Sequence, residues 1–248
     1  MKNYKIVLQY DGTRYKGWQV QKNTDMTIQG KIENVLKKMS GRVVEVHGSG
    51  RTDAGVHALG QVANFKLEQE VPADEILTYL NEYLPEDIRV LSIEEVPVHF
   101  HSRLGAVSKT YCYRIFNGQK ADVFERKYVE VIREELDLDA MRQAAADLIG
   151  THDFFAFCGN RKMKKSAVRT ITEIVIEKSG EEVKISVTGN GFLQNMVRIM
   201  VGTLVEVGLH KRSASDMKDI LAGRDRERAG YTISPKGLAL VNVVYTEG

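Results

Sequence analysis

The order of secondary-structure elements predicts an α+β protein made of two ferredoxin-like halves, each a split βαβ unit. Three observations carry this expectation. The first hundred residues read β-α-β-β-α-β, and the second half repeats the theme. At 248 residues and 43% hydrophobic content the chain can bury a sizeable core, as one large domain or two of ordinary size. The halves are expected at 1–104 and 105–248, joined near Arg103–Val107.

Each element has its own signal. Tyr4–Tyr10 reads as a strand closing in the turn Asp11-Gly12. Ile28, Ile32, Val35, Leu36 and Met39 recur at helical spacing, and Gly41 is a stop signal. Strands are expected near Arg42–His47 and Gln61–Leu67. A helix from about Ala73 to Tyr83 follows, bounded by Pro72 and Pro85, then a strand near Ile88–Val96. In the second half, Lys109–Phe116 alternates as a strand, with a weaker strand pattern at Lys127–Ile132. A helix follows from about Leu138 to Ile149. Thr170–Glu177 and Glu181–Thr188 form a hairpin across Lys178-Ser179-Gly180. Helices from about Phe192 to Val207 and near Ser215–Ala222, and a last strand Leu238–Tyr245, complete the chain.

Composition narrows the class. Charged residues make up 27% and only four prolines occur, which argues against extensive disorder. No charged segment followed by an apolar one opens the sequence, and the longest apolar tract, Phe192–Leu209, contains Gln194, Asn195, Arg198 and Glu206. The expectation is a cytoplasmic protein without a membrane span. Cys112 and Cys158 form no CxxC and read as reduced thiols. The net charge of +2 says little, but Arg161–Arg169 holds five basic residues and no acid. A second basic set, Lys211, Arg212, Arg224, Arg226 and Arg228, is interleaved with acids. Such runs are most often solvated loops, and they also build phosphate-binding faces.

The most informative stretch is Gly48-Ser49-Gly50-Arg51-Thr52-Asp53-Ala54-Gly55-Val56-His57-Ala58. It sets one carboxylate, Asp53, between a cation and a possible proton carrier, His57, in a glycine-rich loop between two strands. Glycine lets backbone and substrate approach closely, and strand ends commonly present functional groups. The bland alternative is a set of ordinary turn residues. Arg198 lies in an otherwise mostly apolar helix, so a buried guanidinium there needs a carboxylate nearby. Asp53, Asp153 and Glu206 are the candidates, although Glu206 is too far along the helix for a direct pair. The alternative is a rim position with the head group in water. Tyr111 shares a strand face with Lys109 and Tyr113. It is either a packing residue or a ring that stacks on a base.

Several chemistries lack their motifs. There is no GxxxxGK[ST], GxGxxG or GxSxG, and Asp53 with His57 lacks HExxH and a third ligand. Three readings remain on the residues alone: an RNA-modifying isomerase, a non-catalytic RNA-binding protein, and a metal-dependent hydrolase.

Taken together these residues resemble the TruA family of tRNA pseudouridine synthases over nearly the whole chain. The sharpest match is Gly50-Arg51-Thr52-Asp53-Ala54-Gly55-Val56-His57-Ala58. Tyr10-Asp11-Gly12, Gly17-Trp18-Gln19, Phe100-His101-Ser102-Arg103, Lys109-Thr110-Tyr111-Cys112-Tyr113, His152-Asp153-Phe154, Met196-Val197-Arg198 and Gly237-Leu238 support it. The resemblance implies isomerisation of uridine to pseudouridine at positions 38, 39 and 40 of the tRNA anticodon stem-loop, with no metal and no cofactor. It implies two ferredoxin-like domains whose sheets join around a central cleft, and a homodimer in which one tRNA touches both subunits. Carried over by position, Asp53 is the catalytic aspartate and Arg198 pairs with it. Arg51 helps displace the target nucleotide, Tyr111 stacks on the uracil, and Leu238 lines the base pocket. Arg103 and Lys109 fit substrate binding. The basic segment Gly159–Arg169 lies outside this pattern, and contact with tRNA is expected of it on charge alone.

Overall fold

Along Lys2–Tyr10 every second side chain is buried, and this period of two makes the first strand, β1. The computed structural model describes residues 1–246. Helix α1 (Ile28–Ser40) starts where Thr27 caps the amide of Gly30. It stops where Gly41 adopts the left-handed conformation and bonds back to Lys37. Its buried face is Ile28, Ile32, Val35 and Leu36, as the helical spacing predicts. Then come β2 (Val46–Gly48), β3 (His57–Leu67), α2 (Ala73–Tyr83) and β4 (Ile88–Val96). Strand β1 lies antiparallel between β4 and β3, and β2 pairs antiparallel with the far half of β3. This order, β4-β1-β3-β2, is that of a split βαβ unit. Tyr4, Ile6 and Leu8 of β1, Ala63 and Phe65 of β3, Ile76 and Leu80 of α2, and the α1 face supply its core.

The other face of this sheet is polar where it is covered. Asn64 donates to Asn3 at 3.1 Å and accepts from the Ser102 amide at 2.9 Å. Asn3 in turn donates to the carbonyls of Pro97 and Phe100. Buried amides paired in this way hold the segment 97–103 down on the strands without leaving a polar group unsatisfied.

The second unit begins with β5 (Ala106–Asn117), followed by β6 (Glu130–Ile132), α3 (Leu138–Ala146), β7 (Gly150–Asp153), β8 (Val168–Ser179), β9 (Glu182–Gly189), α4 (Met196–Gly208) and α5 (Asp216–Gly223). Its antiparallel order is β5-β9-β8-β7, with β6 parallel on β5. Almost every side chain of α4 is buried, and the helix packs on α3. A mixed α+β protein with two split βαβ-like halves is therefore the observed class. The last strand, β10 (Leu238–Tyr245), runs parallel to the start of β3, with Ala239 opposite His57 and Leu240 opposite Ala58. The compact units are accordingly Met1–Val107 together with the residues from Ala239 on, and Ser108–Leu238. The expected split at 104 and 105 kept that strand with the second half.

Other departures have local causes. The strand expected over Arg42–His47 shrinks to Val46–Gly48, and Val43 is 83% exposed. The chain leaving Gly41 first pairs with a strand, opposite Phe65, at Val46. There Gln29 and Glu33 of α1 take its carbonyl and amide. The helix expected from Phe192 starts at Met196, because Asn195 takes a left-handed backbone (φ 57°) that no helix continues through. The helix expected to end at Ile149 stops at Ala146, and after a turn β7 begins at Gly150, a short edge strand with no alternation to announce it.

Candidate active site

The glycine loop is moulded by the turn that follows β1. Trp18 donates its amide to the Thr52 carbonyl at 3.0 Å, and Gly55 donates to the Tyr15 carbonyl at 3.2 Å. A side chain at Gly12 would place its Cβ 2.0 Å from the Val56 carbonyl oxygen. At Gly17 (φ 98°) it would lie 2.7 Å from the Thr52 carbonyl oxygen. Backbone meets backbone at both points, which only glycine permits. The two segments singled out separately in the sequence, Tyr10–Gln19 and Gly48–Ala58, are thus two sides of one mould.

Beneath the loop runs a buried polar chain that the sequence did not reveal. Ser49 donates to Gln61 Oε1 at 2.7 Å, and Gln61 Nε2 donates to the Gly50 carbonyl at 3.1 Å. The Tyr10 hydroxyl lies 2.9 Å from Thr52 Oγ1. Ser49, Thr52, Gln61 and Tyr10 are all buried. They fix the backbone on both sides of Arg51, immediately before Asp53. Burial pushes the Tyr10 phenol up to about 12. Its pKa in the folded chain exceeds that in the unfolded chain, so the associated stability is complete below pH 10 and is lost as pH rises through 12. Chemical denaturation between pH 9 and 12 is expected to show this fall, of roughly 2–3 kcal/mol. Tyr10→Phe should remove this part of the fall and leave the parts due to Tyr15, Tyr113 and Tyr245, which burial also raises. An identical alkaline limb in Tyr10→Phe would show that the phenol does not carry the effect.

His57, read from the sequence as a possible proton carrier, lies inside the mould. It is 5% exposed, begins β3, and accepts the Gly12 amide on Nδ1 at 3.0 Å. The same nitrogen lies 3.2 Å from Asp11 Oδ1, so the ring ties the start of β3 to the turn after β1. Asp53 sits half-buried at the loop's outer turn, and the Val56 amide closes that turn on the Asp53 carbonyl at 3.1 Å. Arg51 is exposed and donates from Nε to Gln19 at 2.9 Å. Arg103, also exposed, follows the anchored Ser102, whose carbonyl accepts the Tyr245 hydroxyl at 2.7 Å.

The second unit gathers the other expected residues. Lys109, Tyr111 and Tyr113 share the buried face of β5, as alternation predicts. Tyr111 is 7% exposed and meets Phe192 edge-on, with ring centres 5.1 Å apart. Arg198, half-buried in the first turn of α4, donates from Nε to the Ile233 carbonyl at 2.7 Å and from Nη1 to Asn195 at 2.9 Å. The Tyr113 hydroxyl donates to the next carbonyl, Ser234, at 2.8 Å. The segment 233–237 is therefore pinned by α4 and β5 together and delivers the buried Leu238. Gly202 allows this closeness, since a Cβ there would lie 2.0 Å from the Tyr231 carbonyl oxygen.

Within this unit Tyr111, Phe192, Arg198 and Leu238 are tied to shared segments. Asp53, Arg51 and Arg103 belong to the first unit. Two carboxylates considered for Arg198 are engaged elsewhere. Asp153 pairs with Arg224 at 3.0 Å and Glu206 with Arg212 at 2.9 Å. Phe192 escaped the sequence reading, because an aromatic just outside a helix has no periodicity to mark it.

A family model described as tRNA pseudouridine synthase matches residues 6–103 and 144–246, most of the chain and both units. The chain belongs to this family. Curated relatives named tRNA pseudouridine synthase A agree. The Brevibacillus brevis protein is 48% identical over 99% of this chain and 100% of its own length. That of a Bacillus species is 51% identical over 93% and 95%. A Clostridium tetani relative, tRNA pseudouridine synthase A 2, is 46% identical over 98% and 99%. The matched residues include the glycine loop of the first unit and Arg198 of the second. The second basic set is less available. Arg212 and Arg224 are in the ion pairs above, and Arg226 donates to Gly230 and Thr232. Among the described residues no helix is long and apolar enough to cross a membrane, and no three or more His, Cys, Asp or Glu side chains are grouped to hold a metal.

Proposed function

We propose that this protein isomerises uridine to pseudouridine at positions 38, 39 and 40 of the tRNA anticodon stem-loop, with Asp53 as the catalytic carboxylate. The reading rests on membership of the family and on the loop's construction. Gly12, Gly17 and the buried Tyr10–Thr52–Gln61–Ser49 chain fix the backbone leading into Asp53. In the reaction the N1–C1′ bond breaks, the uracil turns, and C5 bonds to C1′. The proton on C5 leaves to solvent and N1 acquires one, so no oxidant, water or external group is consumed. One carboxylate suffices, as a nucleophile at C1′ or C6 or as a base toward the 2′ proton.

Arg198 is proposed as the counter-ion of Asp53, since Asp153 and Glu206 are taken by other arginines. A guanidinium beside a carboxylate keeps it charged and oriented. Arg51 helps displace the target nucleotide, which costs a few kcal/mol of lost stacking. Tyr111 offsets that cost by stacking on the uracil, worth about 1–3 kcal/mol. Leu238 lines the pocket, and Arg103 and Lys109 contact the substrate. A lone acid in a glycine loop favours this reading over a non-catalytic RNA platform, which has no use for a carboxylate facing a phosphate-rich ligand. We place the enzyme in the cytoplasm as a homodimer in which one tRNA touches both subunits.

Release of tritium from tRNA labelled at uridine C5, followed by mapping of the modified positions, tests the assignment. Release is expected at positions 38–40 and undiminished in excess EDTA. Loss of release with chelator would favour the metal-dependent reading through Asp53 and His57, and release confined to other positions would refute the stated site.

A further inference from the structure

The basic segment 159–169 is unused by the chemistry above. Lys162, Lys164 and Lys165 are exposed, and no acidic residue occurs between Gly159 and Arg169. Among the described residues Arg161 alone of the loop's cations is drawn to an acid, Glu227 at 3.0 Å, in a pair that is itself exposed.

The loop's roots decide what it is for. At one end, the Gly159 amide donates to the Gln194 carbonyl at 2.8 Å, and Gly159 sits so close to Asn195 that a Cβ would lie 2.6 Å from its amide nitrogen. At the other end, the Ala167 carbonyl accepts the Phe154 amide. Thr170 and Asn190 exchange hydrogen bonds, and Arg169 lies against Gly191. Both roots therefore stand on the segment 190–195. That same segment carries Phe192, which packs on Tyr111, and Asn195, which accepts from Arg198. A run of exposed ammonium groups is thus fastened to the edge of the cluster assigned to the everted base.

We infer that the loop 159–169 is a phosphate-contacting arm that grips the RNA backbone beside the reactive nucleotide. The inference rests on the proposed function and adds a surface to it. Lysines suit this task as point charges that follow a backbone without reading sequence. Their contribution is to binding and its salt dependence, not to the chemical step.

Binding of an unmodified tRNA transcript is measured against salt concentration for the wild type and for the triple variant Lys162→Gln, Lys164→Gln, Lys165→Gln. A control variant, Lys37→Gln, Lys38→Gln, Lys178→Gln, removes the same charge at exposed positions elsewhere. The loop variant is expected to lower the slope of log K against log salt by about 2–3 and to weaken affinity about tenfold or more. Its single-turnover tritium release at saturating enzyme should stay within twofold of wild type. An unchanged slope, or an equal loss in the control, overturns the inference. A wild type that binds the transcript yet releases no tritium defeats the proposed function instead, while the slopes still judge the loop.

Discussion

Asp53→Asn is expected to abolish tritium release from C5-labelled tRNA while leaving affinity for the same tRNA within about threefold. The substitution keeps size and shape and removes only the charge and the basicity. The loop should keep its course, because its contacts run through the backbone of Thr52, Asp53 and Gly55 and the side chains of Thr52 and Gln61. A positioned acid–base group contributes about 10²–10⁴-fold to rate, and a nucleophile cannot be replaced by an amide at all. The loss should therefore exceed a hundredfold in single-turnover measurements, where binding does not enter. Turnover within tenfold of wild type would remove Asp53 from the mechanism.

Gly12→Ala is expected to damage both stability and activity, although residue 12 belongs to no part of the chemistry. The added methyl would lie 2.0 Å from the Val56 carbonyl oxygen and 2.6 Å from its carbon. Neither atom belongs to a flexible side chain, so the turn and the glycine loop must part. Overpacking of this kind costs about 1–3 kcal/mol, a fall of about 2–12 °C in Tm for a chain of this size. The same movement weakens the Gly12–His57 bond and shifts the backbone that carries Asp53, so kcat should fall with it. Gly41→Ala is the control. Gly41 also has a left-handed backbone, but a Cβ there meets nothing within 4 Å. It should cost about 1 kcal/mol of strain and leave kcat unchanged. Equal kcat values for the two variants would show that the mould does not position the loop.

The fold was legible wherever a segment buries one face. β1, α1, α2, β4 and β5 follow from alternation or from three-and-four spacing, and their boundaries fall within a few residues of the expected ones. β7 and the true length of β2 were not legible. Both are short edge segments defined by a partner strand, and four residues carry too little pattern to register. The site divides in the same way. Asp53, Arg198 and Tyr111 stood out because each is an anomaly in its surroundings: a lone acid among glycines, a cation in an apolar helix, and an aromatic on an alternating strand. Gln61, Ser49 and Phe192 looked ordinary, and their positions became informative only once the strands and loops were brought together.

What the sequence by itself determined was the inventory: two α+β halves, a glycine-framed acid, and a guanidinium in an apolar helix. These are local facts, set by periodicity and by the cost of isolating charge. Only the tertiary structure decided how the pieces are used. It set His57 against the Gly12 amide and Asp11. It spent Asp153 and Glu206 on other arginines, and it joined the last strand to β3 in the first unit. Each of these outcomes depends on which hydrogen-bonding groups meet across long separations in the chain, a pairing that no run of neighbouring residues encodes.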